Sequence, residues 1–170
     1  MHNALISPEE VDDFIIVRAT AFVSRVQRAV ARDVLRSENM PVLEWRLLFS
    51  VARFGSCHLA FITQRTSIDP AHGSRAASAL EAKELITRQD DPENRRRKVI
   101  SLTPKGVATF ERIWPQVRGI IKSVTDTLEA EDLRDTKRLM DLLNLAAEPL
   151  LESRHSDTPP APKDTPVAAE

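Results

Sequence analysis

Between His58 and Lys105 a series of local signals follow one another with no spare residues, and their order leaves few ways to fold the chain. A short helix from His58 to Thr66 is followed by the turn Ser67-Ile68. Asp69-Pro70 then opens another helix, with a capping side chain and a proline at the first helical position. Leu85–Gln89 and Val99–Leu102 are short, partly alternating and β-branched, which predicts the two strands of an antiparallel hairpin. Between them, Asp90-Asp91-Pro92-Glu93-Asn94-Arg95-Arg96-Arg97-Lys98 places four consecutive cations behind an acidic, proline-containing turn. A solvated charge run would not need flanking strands.

Helix, tight turn, helix and cation-tipped hairpin is the order of a winged helix-turn-helix. It predicts a mainly α chain with a small β-hairpin wing. In the helix spanning 70–83, Gly73, Ala76, Ala77 and Leu80 share one face, leaving Ala71, His72, Ser74, Arg75 and Ser78 outward. Arg75 is long enough to reach guanine acceptors, and His72 and Ser74 can hydrogen-bond, so the helix suits direct readout of double-stranded DNA in a major groove. On the wing at 90–98, Arg95, Arg96, Arg97 and Lys98 suit a minor groove or the phosphates. Each of these residues taken alone also reads as a solvated surface group. A winged-helix module that binds protein through the same surface, without an effector, is the alternative.

The rest of the chain reads as helix. Ser7-Pro8-Glu9-Glu10 starts a first helix, whose apolar residues recur at helical spacing to about Ser37. Met40-Pro41 restarts a second, through Trp45 and Leu48 to near Gly55. Thr103-Pro104-Lys105-Gly106 caps a long fifth helix that Pro115 should kink, and a leucine-rich sixth helix spans about Ala130 to Leu151. These terminal helices carry more apolar surface than one small winged-helix core covers, so they predict a homodimer built from both chain ends. A monomer with a helical cap is the other reading. The expected division is 1–37 for an N-terminal dimerisation helix, 38–105 for the winged helix-turn-helix, 106–152 for C-terminal dimerisation helices and 153–170 for a disordered tail.

Composition excludes more than it identifies. The single cysteine, Cys57, cannot form an internal disulfide, and the four histidines are scattered without a metal-ligating or nucleophilic constellation. No catalytic site, metal or cofactor is therefore expected, and no enzyme. No secretory leader opens the chain, and no apolar run approaches the roughly 20 residues that span a bilayer, so a cytoplasmic protein without a membrane partner is expected. The net charge of −1 is bland, but its distribution is not: Asp69 to Lys105 holds eight Lys/Arg against six Asp/Glu, whereas Asp126 to Glu152 holds three against eight. Basic groups collect where the reading head is expected.

Leu80-Glu81-Ala82-Lys83, Asp91-Pro92-Glu93, Arg95-Arg96 and Ser101-Leu102-Thr103-Pro104-Lys105-Gly106, with Asp69 and Trp45-Arg46, closely resemble the signature of the multiple-antibiotic-resistance regulator (MarR) family over roughly residues 8–150. That resemblance implies a dimeric winged-helix transcription factor, a ligand-responsive repressor on a pseudo-palindromic operator. It also implies a small aromatic or phenolic carboxylate effector, with Arg18 and Arg46 as its partners and Phe22, Trp45 and Trp114 as walls. The same tryptophans also read as core, and the arginines as partners of surface acids. One wing arginine should pair with Asp69 instead of reaching DNA. Three positions depart from the family pattern: Glu84 stands where glycine is common, Asn94 replaces a wing aspartate, and Gly73 replaces a larger apolar residue, which should thin the core beneath the recognition helix. Some relatives sense peroxide through a first-helix cysteine; Cys57 lies instead before the third helix, beside His58, and a structural role is the better reading.

Overall fold

The computed structural model describes residues 14–66, 68–91, 94 and 97–152. The expected helix start at Ser7, the Ser67 turn residue, the tip residues 92, 93, 95 and 96, and the tail from 153 lie outside them. The chain divides into two compact units, one ending at Val124 and one beginning at Thr125.

The first unit opens with α1 (Ile15–Val30), which continues through a π-helical turn (Ala31–Leu35) closed by the Arg36 N–H donating to the Ala31 carbonyl at 3.0 Å. This wider turn accompanies the burial of Val30, Val34 and Leu35, the stretch by which α1 enters the core. Then come α2 (Val42–Phe54), β1 (Cys57–His58), α3 (Leu59–Thr66), α4 (Pro70–Ala82), β2 (Ile86–Asp90), β3 (Lys98–Leu102) and α5 (Pro104–Thr125). Helix α5 runs on through Pro115. The expected hairpin forms in register from Ile86↔Leu102 to Asp90↔Lys98.

One element differs from expectation. His58 does not begin the third helix; with Cys57 it pairs against β3, as Cys57↔Ile100 and His58↔Val99, giving a three-stranded sheet in the order β1-β3-β2. Two residues are too few to show alternation, and only the partner strand makes them β.

The core joins every element of the reading head. Leu47 and Leu48 of α2, Ile62 of α3, Leu80 of α4, Ile86 and Ile100 of the hairpin and Ile113 of α5 are all essentially inaccessible to solvent. Each such side chain contributes about 1.5–3 kcal/mol relative to leaving it exposed. Apolar side chains stay outside elsewhere: Ile15, Ile16, Phe22 and Val23 on α1 are exposed. In the second unit, α6 (Ala130–Glu152) likewise exposes Leu139, Met140, Leu142, Leu143 and Leu145.

The end of α4 explains the Glu84 departure. Lys83 stays helical while Glu84 takes φ 61°, in the left-handed region. The Glu84 N–H donates to the Glu81 carbonyl at 2.8 Å and the Leu85 N–H to the Leu80 carbonyl at 2.9 Å, the paired bonds of a Schellman cap. A side chain in that conformation costs about 1–2 kcal/mol. Here it is held by the Thr103 hydroxyl donating to the Glu84 carbonyl at 2.6 Å and by Lys105 at 3.0 Å from its carboxylate. Glu84→Gly should therefore raise stability by about 0.5–1 kcal/mol, the relieved strain exceeding the greater freedom of glycine in the unfolded chain. Urea unfolding would check it, and a loss of stability would mean the side-chain contacts outweigh the strain.

Candidate nucleic-acid interface

The presenting end of α4 is built by Asp69. Its Oδ1 accepts the backbone N–H groups of Ala71 and His72, both at 3.0 Å, and Pro70 supplies a first residue with no N–H to satisfy. The bond from His72, then that from Ala71, holds the carboxyl below its ordinary range, with the charges of His72 and Arg75 acting in the same direction. Gly73, Ala76, Ala77 and Leu80 are buried, and Ala71, His72, Ser74, Arg75 and Ser78 are exposed, as the spacing predicts. Gly73 does not thin the core. A Cβ there would stand 2.8 Å from Thr63 Cγ2, so the missing side chain lets α3 and α4 approach and leaves no space to fill.

The wing is set by its own backbone. Across the turn the Asp91 N–H donates to the Arg97 carbonyl at 3.0 Å, the Asn94 N–H to the Asp91 carbonyl at 3.2 Å, and the Arg97 N–H to the Asn94 carbonyl at 2.8 Å. Arg97 is exposed, and the Lys98 ammonium pairs with Asp90 across the hairpin. Arg95 and Arg96 lie outside the described residues, and with them two candidates for the wing arginine expected on Asp69.

Sequence reasoning missed Arg88. From β2 its Nε donates to Glu81 Oε2 at 2.8 Å and its Nη2 to Ser78 Oγ at 3.3 Å, tying the root of the wing to the recognition helix. This contact keeps the Glu81 carboxyl below its ordinary range. Ser78, expected to face DNA, is thus also a partner of the scaffold. The available signal was that Ser78 and Glu81, three apart on α4, share a face that a β2 side chain can meet.

A cavity of about 270 Å³ opens between α2 and α5, with Trp45, Arg46, Phe49, Arg53, Trp114 and Ile121 among its walls. Trp45 stacks on Phe110 at 5.7 Å and Phe110 on Trp114 at 6.0 Å between ring centroids. Arg46 donates from Nη2 to the Thr66 carbonyl at 2.7 Å, a bond that uses only part of the donor capacity of a guanidinium. Trp45, Arg46 and Trp114 are therefore brought together, whereas Arg18 and Phe22 lie exposed on α1 and do not line this cavity. Cys57 is half-buried, and that burial pushes its thiol up, away from the reactive thiolate. Among the described residues no group of three or more His, Cys, Asp or Glu could hold a metal ion, and no helix is long and apolar enough to cross a membrane.

A capped recognition helix, packed by small residues on the helix before it and braced by a cation-bearing hairpin, defines a winged helix-turn-helix protein. Residues 41–98 match the sequence model of the MarR family. Over that segment, from the start of α2 to the start of β3, the chain is similar to the MarR family. An uncharacterized HTH-type transcriptional regulator of Staphylococcus aureus is 25% identical over 130 residues, 75% of this chain and 87% of the relative. Two solved structures share the fold. A MarR family transcriptional regulator from Silicibacter pomeroyi superposes with TM-score 0.75 at 19% identity, over 85% of this chain and 96% of that one. Bordetella bronchiseptica BpsR, whose DNA binding is regulated by 6-hydroxynicotinic acid, superposes with TM-score 0.69 at 22% identity, over 84% and 99%.

The Asp69 cap carries a pH signature. Because the folded carboxyl is held low, its contribution to stability is present above the ordinary aspartate value of about 3.9 and is lost as pH falls below it. Asp69→Asn keeps a capping oxygen but does not titrate. The variant should be slightly less stable than wild type at neutral pH and lose less of its stability on acidification. Parallel acid unfolding curves would show that the carboxylate charge contributes nothing there.

Proposed function

We propose that the protein is a dimeric, ligand-responsive repressor that binds a pseudo-palindromic operator. The exposed face of α4 carries the reading: one capped helix turns Ala71, His72, Ser74, Arg75 and Ser78 outward, with exposed Arg97 and Lys98 on the neighbouring wing and Arg95 and Arg96 preceding them in the sequence. The helix reads base edges in the major groove, and the wing clamps phosphates or an adjacent minor groove. Exposed apolar residues on α1 and α6 support a dimer formed by residues 1–37 and 106–152, around the reading region 38–105. Two copies on a two-fold axis then read half-sites about one helical turn apart, and a dimer seated there blocks that DNA to polymerase. The protein acts where the DNA is, in the cytoplasm.

The effector is a small aromatic or phenolic carboxylate held between α2 and α5. Trp45 and Trp114 offer aromatic walls, and Arg46 offers a charge-assisted partner for the carboxylate. The regulation of BpsR by 6-hydroxynicotinic acid supports this ligand class. Arg18 and Phe22, on α1, join the site only from a second copy or after α1 moves.

Arg75→Ala should weaken binding to the DNA upstream of the protein's own gene by about 1–3 kcal/mol while leaving random-sequence binding nearly unchanged. Gel shifts on both fragments decide it, and equal losses on the two would remove Arg75 from base readout.

Moving the protein from 1:99 to 99:1 between DNA-bound and released states needs an effector that prefers the free form by about 5.5 kcal/mol. Arg46→Gln, which removes the guanidinium charge, should retain DNA affinity but resist release when a panel of aromatic acids is titrated onto the complex. If no acid releases the wild type at millimolar concentration, or the variant releases equally, the cavity is not the effector site.

A further inference from the structure

One ring outside the DNA-facing surface ties the wing to the helix-turn-helix. His58 ends β1, immediately before α3 begins, and stands between two acceptors. Its Nε2 lies 3.1 Å from Asp91 Oδ2 in the wing turn, and its Nδ1 lies 3.3 Å from the Lys98 carbonyl on β3. A neutral imidazole has one N–H and one lone pair, so in either tautomer one nitrogen turns a lone pair toward an acceptor. Only the doubly protonated ring donates to both.

Among the described residues, Asp91 is the carboxylate paired with this ring. The Lys98 ammonium on β3 is paired with Asp90 of β2, the charged side chain of α3 is Arg65, which lies over Phe61, and the neighbouring Cys57 is held as a thiol by burial. Arg97 is exposed at the other end of the turn. The Asp91 side chain is 14% exposed, so its pair with the ring is screened less than an open surface pair. Asp91 is also the residue from which the turn is built: its N–H holds the Arg97 carbonyl and its carbonyl holds the Asn94 N–H. Whatever fixes Asp91 fixes the base of the cationic tip.

We propose that His58 is a positioning residue for the wing: the protonated ring clamps Asp91 to β1, sets the wing against the helix-turn-helix and makes DNA affinity rise as pH falls. The effect on affinity rests on the DNA-binding reading above, whereas the clamp itself belongs to the free protein.

Two measurements on the full chain separate the two. In the free protein, backbone NMR across about pH 8 to about pH 5.5 should show the Asp91 and Arg97 amides titrating together with the His58 ring, and His58→Gln should abolish that transition. On the DNA upstream of its own gene, lowering the pH over that range should tighten wild-type binding about 3- to 10-fold more than it tightens His58→Gln or Asp91→Asn. His72 is present in all three proteins, so its own titration does not distinguish them. The Asp91→Asn variant keeps the test open if His58→Gln folds poorly. Amides that ignore the His58 titration, or equal pH responses in wild type and both variants, would overturn the clamp. Amides that follow the ring in a protein that binds no DNA at any pH would support the clamp and count against the DNA-binding reading.

Discussion

The peptide at Leu85 is the point on which the reading head hangs. Its N–H closes the cap of α4 by donating to Leu80, and its carbonyl accepts the N–H of Thr103 at 3.1 Å, the residue that leads β3 into α5. Gly106 lies so close against it that a Cβ would fall 1.9 Å from the Leu85 oxygen. Thr103 in turn caps α5, its hydroxyl accepting the Gly106 N–H at 2.9 Å. The end of the recognition helix, both roots of the wing and the start of α5 therefore meet within a few ångströms of one carbonyl. No side chain intervenes to let them slide.

Charges around this junction fall into two groups. Lys83 pairs with Glu44 of α2, Arg88 with Glu81, Lys105 with Glu84, and Arg112 of α5 with Glu38 ahead of α2. Single surface pairs of this kind contribute little stability, with a median of about 0–1 kcal/mol. Their consequence is geometric, since each fixes one element's angle to another and satisfies a cation that would otherwise compete for phosphate. Among the described residues neither Arg75 nor Arg97 has a carboxylate within salt-bridge reach, and both are exposed. A net charge of −1 thus coexists with a cationic reading surface, because the scaffold neutralises its own cations locally.

The same division separates what the sequence made legible from what it did not. Caps and turns are local, so Asp69-Pro70, Thr103-Pro104 and the two hairpin strands could be read from a few adjacent residues and appear within a residue of expectation. The buried and exposed faces of α4 follow from helical period alone. Contacts between distant residues were not legible: β1 exists only because β3 lies beside it, the pair of Arg88 with Glu81 needs the hairpin folded onto α4, and the meeting of His58 with Asp91 spans 33 positions of sequence. Gly73 shows the same limit from the other side. Its missing side chain looked like lost packing until the position of Thr63 was known.

The junction also constrains how the proposed effector could act. Trp114 sits eight residues beyond Gly106 on α5, about 12 Å along a helix that begins at the Leu85 contact. A ligand that parts Trp114 from Trp45 must bend α5 or swing it. A swing pivots at its capped, glycine-tight N-terminus, where Leu85 carries the displacement into the end of α4 and the root of the wing. Pro115 lies within the cavity wall, between Trp114 and Ile121, so a bend there would part those two residues, whereas the segment from Gly106 to Trp114 has no such weak point. A tightly bound acid still shifts nothing unless it prefers one arrangement over the other. In the proposed site that preference would have to come from the stacked Trp45, Phe110 and Trp114, because a ring inserted between α2 and α5 must replace their contacts with one another.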